Sequence, residues 1–108
     1  MSANQRAASG KKITFTEHAR EAMVKRELDE ESVIEAVNNP DELFLNRRTG
    51  RTVAGFEVSS AVKRDDQALV AVYDAVNDHL EVVTVFKTSK PDKLIRRKLD
   101  KGHWVRVG

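Results

Sequence analysis

A histidine and an arginine eight residues apart in this 108-residue chain have the side chains that proton transfer and phosphate binding require: His18 and Arg26. In the run Phe15-Thr16-Glu17-His18-Ala19-Arg20-Glu21-Ala22-Met23-Val24-Lys25-Arg26, Thr16 is a good N-cap and Glu17 suits a first turn. That places His18 at a helix N-terminus, where an imidazole can exchange a proton near neutral pH. At 100° per residue Ala19, Ala22 and Met23 share one stripe, while Glu17, Arg20, Glu21 and Glu27 lie on the far side. Arg26 falls within the stripe, on the last turn, so a guanidinium is expected where an apolar residue belongs and needs a partner or a ligand. Simpler readings compete with both: a single histidine near a helix start is more often structural, and a terminal arginine often only lays its stem along apolar surface.

The elements that would position these groups can be followed along the chain. Residues 1–12 read as a flexible arm and Ile13 to Phe15 as a short extended lead into the first helix, with 13–108 forming one domain. A second helix follows, with Asp29 as cap, Val33, Ile34 and Val37 as its buried face, and Asn38-Asn39-Pro40 as its stop. The period then changes to two. Leu43 and Leu45 alternate, Asn46 to Arg51 make an arginine-rich turn, and Ala54, Phe56 and Val58 alternate on the way back. After a polar link over 59–67, the runs 69–76 and 79–86 flank Asn77-Asp78 as a two-residue hairpin. That pairing sets Tyr73 against Val82, Ala71 against Thr84 and Leu69 against Phe86 on one side, with Val72 against Val83 and Val70 against Val85 on the other. Both sides are apolar, so these are central strands, with the two N-terminal helices covering one face. Ser89-Lys90-Pro91-Asp92 then opens a short basic helix, and His103-Trp104-Val105-Arg106 forms a last strand or an ordered tail.

Composition narrows the classes. There are no cysteines, which excludes disulfides and thiolate metal sites and suits the cytoplasm. Three scattered histidines give no metal-ligand spacing, so no metal or cofactor is expected, and no apolar run is long enough to read as a membrane span. The net charge of +2 hides a polarised chain: residues 1–12 carry +3, residues 13–45 carry −6 and residues 87–108 carry +6. The last block suits a polyanion or an acidic partner, unless it pairs with the acidic helices of its own domain.

The arrangement H-A-x-x-x-M-x-x-R from His18 to Arg26, the second helix ending in Asn39-Pro40-Asp41, and Val82-Val83-Thr84-Val85-Phe86 together resemble domain-of-unknown-function family 4258, from about Ile13 to Lys87. The resemblance implies kinship with barnase, EndoU, the colicin ribonucleases and RelE-like toxins, and a layout like that of BrnT-type toxins. It implies an α+β fold with a four-stranded antiparallel β meander, here with two N-terminal helices packed on it and a short basic C-terminal helix. It also implies a metal-independent ribonuclease, often the toxin of a toxin–antitoxin or related conflict system. His18, Arg26 and Thr84 match the family's polar motif positions. The family commonly has glycine after the helix-ending arginine, where this chain has Glu27, so a left-handed cap is less comfortable and the helix end is expected to differ.

Cleavage of RNA without a metal needs a base for the 2′-hydroxyl proton, an acid for the leaving oxygen, and cations for the pentavalent phosphorane. His18 is the candidate acid or base, Arg26 with Lys87 the candidate phosphate stabilisers, and Thr84 with Thr88 the hydroxyls that orient phosphate or histidine. Arg47, Arg48, Arg96, Arg97 and Lys98 are candidate RNA contacts. A second acid or base is missing, since His79 lies at the far end of its strand and His103 in the tail. The expected partners are RNA as substrate and an antitoxin protein, with no membrane. The alternative is a non-enzymatic protein-binding or regulatory module that retains the fold. Trp104 is expected to close the core rather than stack on a base.

Overall fold

The computed structural model describes the backbone of residues 12–57 and 67–107, and their side chains except those of residues 56 and 57. The arm expected over 1–12 and the link expected over 59–67 fall outside the described residues except for Lys12 and Gln67, as do Val58 and the side chain of Phe56. In chain order the elements are β1 (Lys12–Phe15), α1 (Glu17–Lys25), α2 (Glu30–Asn38), β2 (Glu42–Asn46), β3 (Thr52–Glu57), β4 (Ala68–Val76), β5 (His79–Thr88), α3 (Pro91–Asp100) and β6 (Trp104–Arg106).

The fold is α+β, but the sheet has six strands rather than four, in the order β1-β5-β4-β3-β2-β6. Strands β2 to β5 are successive antiparallel neighbours; β1 adds to β5 in parallel and β6 adds to β2 antiparallel, so the sheet is mixed. The extended lead expected over residues 13–15 and the strand or tail expected over residues 103–106 are these two edges; runs of three and four residues carry too little alternation to announce which strand they join.

Each face of the sheet has its own core. Ala19, Ala22 and Met23 of α1 and Val33, Ile34, Ala36 and Val37 of α2 pack with Leu69, Ala71, Leu80, Val82 and Val85 on one face. Ile95 of α3 packs with Phe44, Val53, Val70 and Trp104 on the other. The hairpin of β2 and β3 shows the cost of reading only one face. Phe44, not Leu43 or Leu45, is the fully buried residue of β2, and Leu45 is 38% exposed, because α3 supplies a core behind the sheet.

Strands β4 and β5 begin in the expected register, with Val76 opposite His79 and Tyr73 opposite Val82. The register then shifts between Val72 and Tyr73: Val72 pairs with Thr84, Ala71 with Val85, Val70 with Phe86 and Leu69 with Lys87. Val83 is therefore an extra residue, and the pairs expected beyond it do not form. Because a one-residue slip exchanges faces, Thr84 lies opposite Val72 on the α3 side rather than beside Val82 on the α1/α2 side. Asp74 does face Glu81, and Arg51 relieves the repulsion with a 3.1 Å ion pair to Asp74.

The caps set the helices. The Thr16 hydroxyl accepts from the Ala19 N–H at 3.0 Å and donates to the Val83 carbonyl at 3.3 Å, tying the start of α1 to the β5 bulge. The Asp29 carboxylate accepts from the Ser32 N–H at 2.8 Å. Hydrogen bonding to Ser32 holds this carboxyl below its ordinary value of 3.8. Its folded pKa is thus below its unfolded one, so its contribution is complete above the unfolded value and vanishes as pH falls through the folded one. Asp29→Ala is expected to cost about 1 kcal/mol near neutral pH. In denaturation curves taken at successively lower pH, the gap between variant and wild type should close under acid; a gap independent of pH refutes the assignment.

At its other end α1 closes with the left-handed cap that Glu27 argued against. Glu27 has φ 57°, its N–H donates to Val24 O at 3.2 Å, and Leu28 N–H donates to Met23 O at 2.8 Å while its side chain is buried. This Schellman arrangement holds a strained glutamate because Leu28 must turn inward, and the carboxylate also meets the negative end of the helix. Glu27→Gly should therefore stabilise the domain by about 0.5–1 kcal/mol, read as a rise of a few degrees in melting temperature. An unchanged or lower melting temperature would mean that the strain is not there.

Candidate active site

Arg26 is not a buried-stripe residue. It is the C-cap of α1, with its N–H bonded to Ala22 O at 2.9 Å and its side chain exposed. Its φ of −99° and ψ of 5° leave the helical range, so the wheel does not fix where its side chain lies. Arg26 nevertheless shares a shallow groove of about 220 Å³ with His18, Glu21, Ala22 and Lys25. These positions are separated by three, four, seven and eight residues from His18, so one flank of α1 builds the whole groove. Buried Ala22 forms its floor, and the small side chain leaves room that a leucine would fill.

Glu21 is the group that sequence reasoning missed. It was placed on the far side of the wheel from the apolar stripe, yet it lies 60° from His18 at 100° per residue, and the three-residue spacing was the available signal. The groove thus brings together an imidazole, a carboxylate and two cations. These can exchange protons and hold an anion, with no group drawn from the sheet.

The other candidates are not brought there. Thr84 lies on the opposite face of the sheet, and the hydroxyl of Thr88 accepts from the Lys90 N–H at 3.2 Å in the turn into α3. Lys87 pairs with Leu69 on the α1/α2 side and is half-buried, outside the residues that line the groove. Arg47 and Arg48 are exposed at the β2–β3 tip. Arg96 and Arg97 are exposed on α3, and Lys98 lies 5.9 Å from the Trp104 ring centroid. Trp104 is buried, its ring centroid 5.2 Å from that of Phe44, which removes it as a base-stacking platform. His79 approaches Asp78 at 3.4 Å in the β4–β5 turn, and His103 is exposed between α3 and β6. Tyr73 packs against the α1/α2 core; burial pushes its hydroxyl above the ordinary value, against the opposing effect of a hydrogen bond with Thr52.

Among the described residues no His, Asp and Glu cluster has a metal-holding arrangement, and no helix is long and apolar enough to cross a membrane. The chain matches, over residues 15–96, the model of a protein family described as Domain of unknown function (DUF4258). No curated protein and no solved structure matches it.

Proposed function

The chain belongs to the DUF4258 family, and from that premise we propose that it is a metal-independent ribonuclease working in the cytoplasm, a toxin held in check by an antitoxin protein. The observation that carries this reading is the groove in which His18, Glu21, Lys25 and Arg26 stand together. Bound across it, an RNA phosphodiester would lie between a proton acceptor and a proton donor. The Glu21 carboxylate takes the proton of the 2′-hydroxyl as that oxygen attacks phosphorus; the bond to the 5′-oxygen breaks as His18 delivers a proton to it. The products are a 2′,3′-cyclic phosphate and a 5′-hydroxyl. Lys25 and Arg26 offset the charge that builds on the phosphorane, a role that needs no metal.

The test is incubation of the purified chain with RNA, free and ribosome-bound, in the presence of a chelator. Fragments ending in a 2′,3′-cyclic phosphate support the reading, and intact RNA in every arm overturns it. A toxin should also arrest growth when expressed without its partner. The dispersal of Thr84, Thr88 and the α3 cations away from the groove favours a second reading, a non-enzymatic module that binds a protein partner. That reading predicts a tight protein complex unaffected by His18→Ala.

A further inference from the structure

The charge polarisation of the chain becomes, once folded, a difference between two layers. Residues 29–41, which include α2, hold five carboxylates and no lysine or arginine, whereas residues 90–101 hold six cations and two carboxylates. The two lie on opposite faces of the sheet. Within the basic layer the cations are not equivalent. Lys93 and Arg97 lie about 40° apart at 100° per residue on one flank of α3, and Lys90 and Lys101 are the caps at its two ends, so the four are spread along about 16 Å of helix axis. All four are exposed, and none forms an ion pair among the described residues.

The remaining charges on α3 are turned aside. Lys98 lies over the Trp104 ring, and Arg96 lines a pocket of about 280 Å³ together with Asp92 and Asp100. Both carboxylates of the helix line that pocket with Arg96, and Asp100 borders the flank about 20° from Lys93 on the wheel, so the flank is predominantly cationic. Ile95 is buried and Leu94 and Leu99 pack against the same core, so the apolar side of α3 is committed to the sheet and is not offered to a lipid surface.

We infer that Lys90, Lys93, Arg97 and Lys101 form a docking stripe for the phosphate backbone of RNA, on the layer opposite the His18 groove. The inference rests on RNA being the substrate and adds where the polymer is held. Four point and fork charges along a straight helix recognise phosphates without reading bases. Holding and cutting are then separate: the stripe supplies affinity, while the strand passes around the sheet to present a distant phosphodiester to His18. Short oligonucleotides cannot reach both surfaces.

Salt dependence tests this. A labelled single-stranded RNA is titrated by fluorescence anisotropy with full-length His18→Ala, which slows cleavage, and with the same chain also carrying Lys93→Gln, Arg97→Gln and Lys101→Gln. Four phosphate contacts give a slope of log affinity on log salt of about −3, a loss of about fiftyfold between about 50 and 200 mM salt. Losing three of them should make the slope of the triple variant shallower by about 2, since whatever Lys25 and Arg26 contribute is common to both chains. The single change Lys101→Gln should give an intermediate slope, which guards against a folding defect in the triple variant. Equal slopes in all chains overturn the inference, as does tighter binding of the stripe to phosphatidylserine vesicles than to RNA. RNA that is bound with the expected slopes but left intact by the wild-type chain would refute the ribonuclease reading and leave the stripe standing.

Discussion

Gly55→Ala is expected to destabilise the domain by about 3 kcal/mol or more, enough to consume much of the total stability of a domain this size. Gly55 has φ +128°, and a Cβ built on it would meet the carbonyl oxygen of Leu69 at 2.3 Å. The opposing atom is backbone, in a strand whose Leu69 side chain is fully buried in the α1/α2 core, so it cannot swing away. The register shift between Gly55 and Glu57 explains the close approach: an extra residue on β3 drives the strand against β4. Gly50→Ala is the control. Gly50 also has positive φ, +76°, but nothing lies within 4 Å of the added carbon, so only the conformational cost of about 1 kcal/mol applies. Melting curves of the two variants separate collision from backbone strain, at about 4–8 °C per kcal/mol. If Gly55→Ala costs no more than Gly50→Ala, the bulge is not a point of steric contact.

What the sequence made legible followed from local chemistry. Thr16 and Asp29 announce their helices because a short oxygen-bearing side chain satisfies an orphan N–H, and both hydrogen bonds are present. Asn77, at φ 51°, makes the tight hairpin turn because asparagine tolerates the left-handed backbone that such a turn requires. What stayed hidden was relational. The Val83 bulge leaves no mark in a run such as Val82-Val83-Thr84-Val85-Phe86, because a strand apolar on both faces looks the same after a one-residue slip. Thr84 was therefore assigned to the wrong face, and its pairing with His18 went with it. The same two-sided burial hid Phe44 behind Leu43 and Leu45, since the second core exists only because α3 returns to the sheet from far along the chain. Arg26 was misplaced by a single residue at a helix end, where the cap and not the wheel decides direction.

The groove on α1 gives the sharpest kinetic expectation, because its side chains are exposed and can be changed without disturbing the core. His18→Ala and Glu21→Gln should each lower kcat/KM for RNA by about 10²–10⁴, the usual worth of one proton-transferring group, while melting temperature stays nearly constant. If the two act as a unit on one phosphodiester, the double variant should lose little more than the worse single one; independent roles would multiply the losses. Arg26→Ala should also reduce kcat/KM, and Arg26→Lys should restore part of it if positive charge, rather than a bidentate fork, is what the phosphate requires. Loss of activity accompanied by an equal loss of stability in His18→Ala would make the histidine structural after all. Full activity in Glu21→Gln would return the domain to a single proton-transferring residue, and the groove would then lack the acid–base pair that sets it apart from an ordinary charged helix flank.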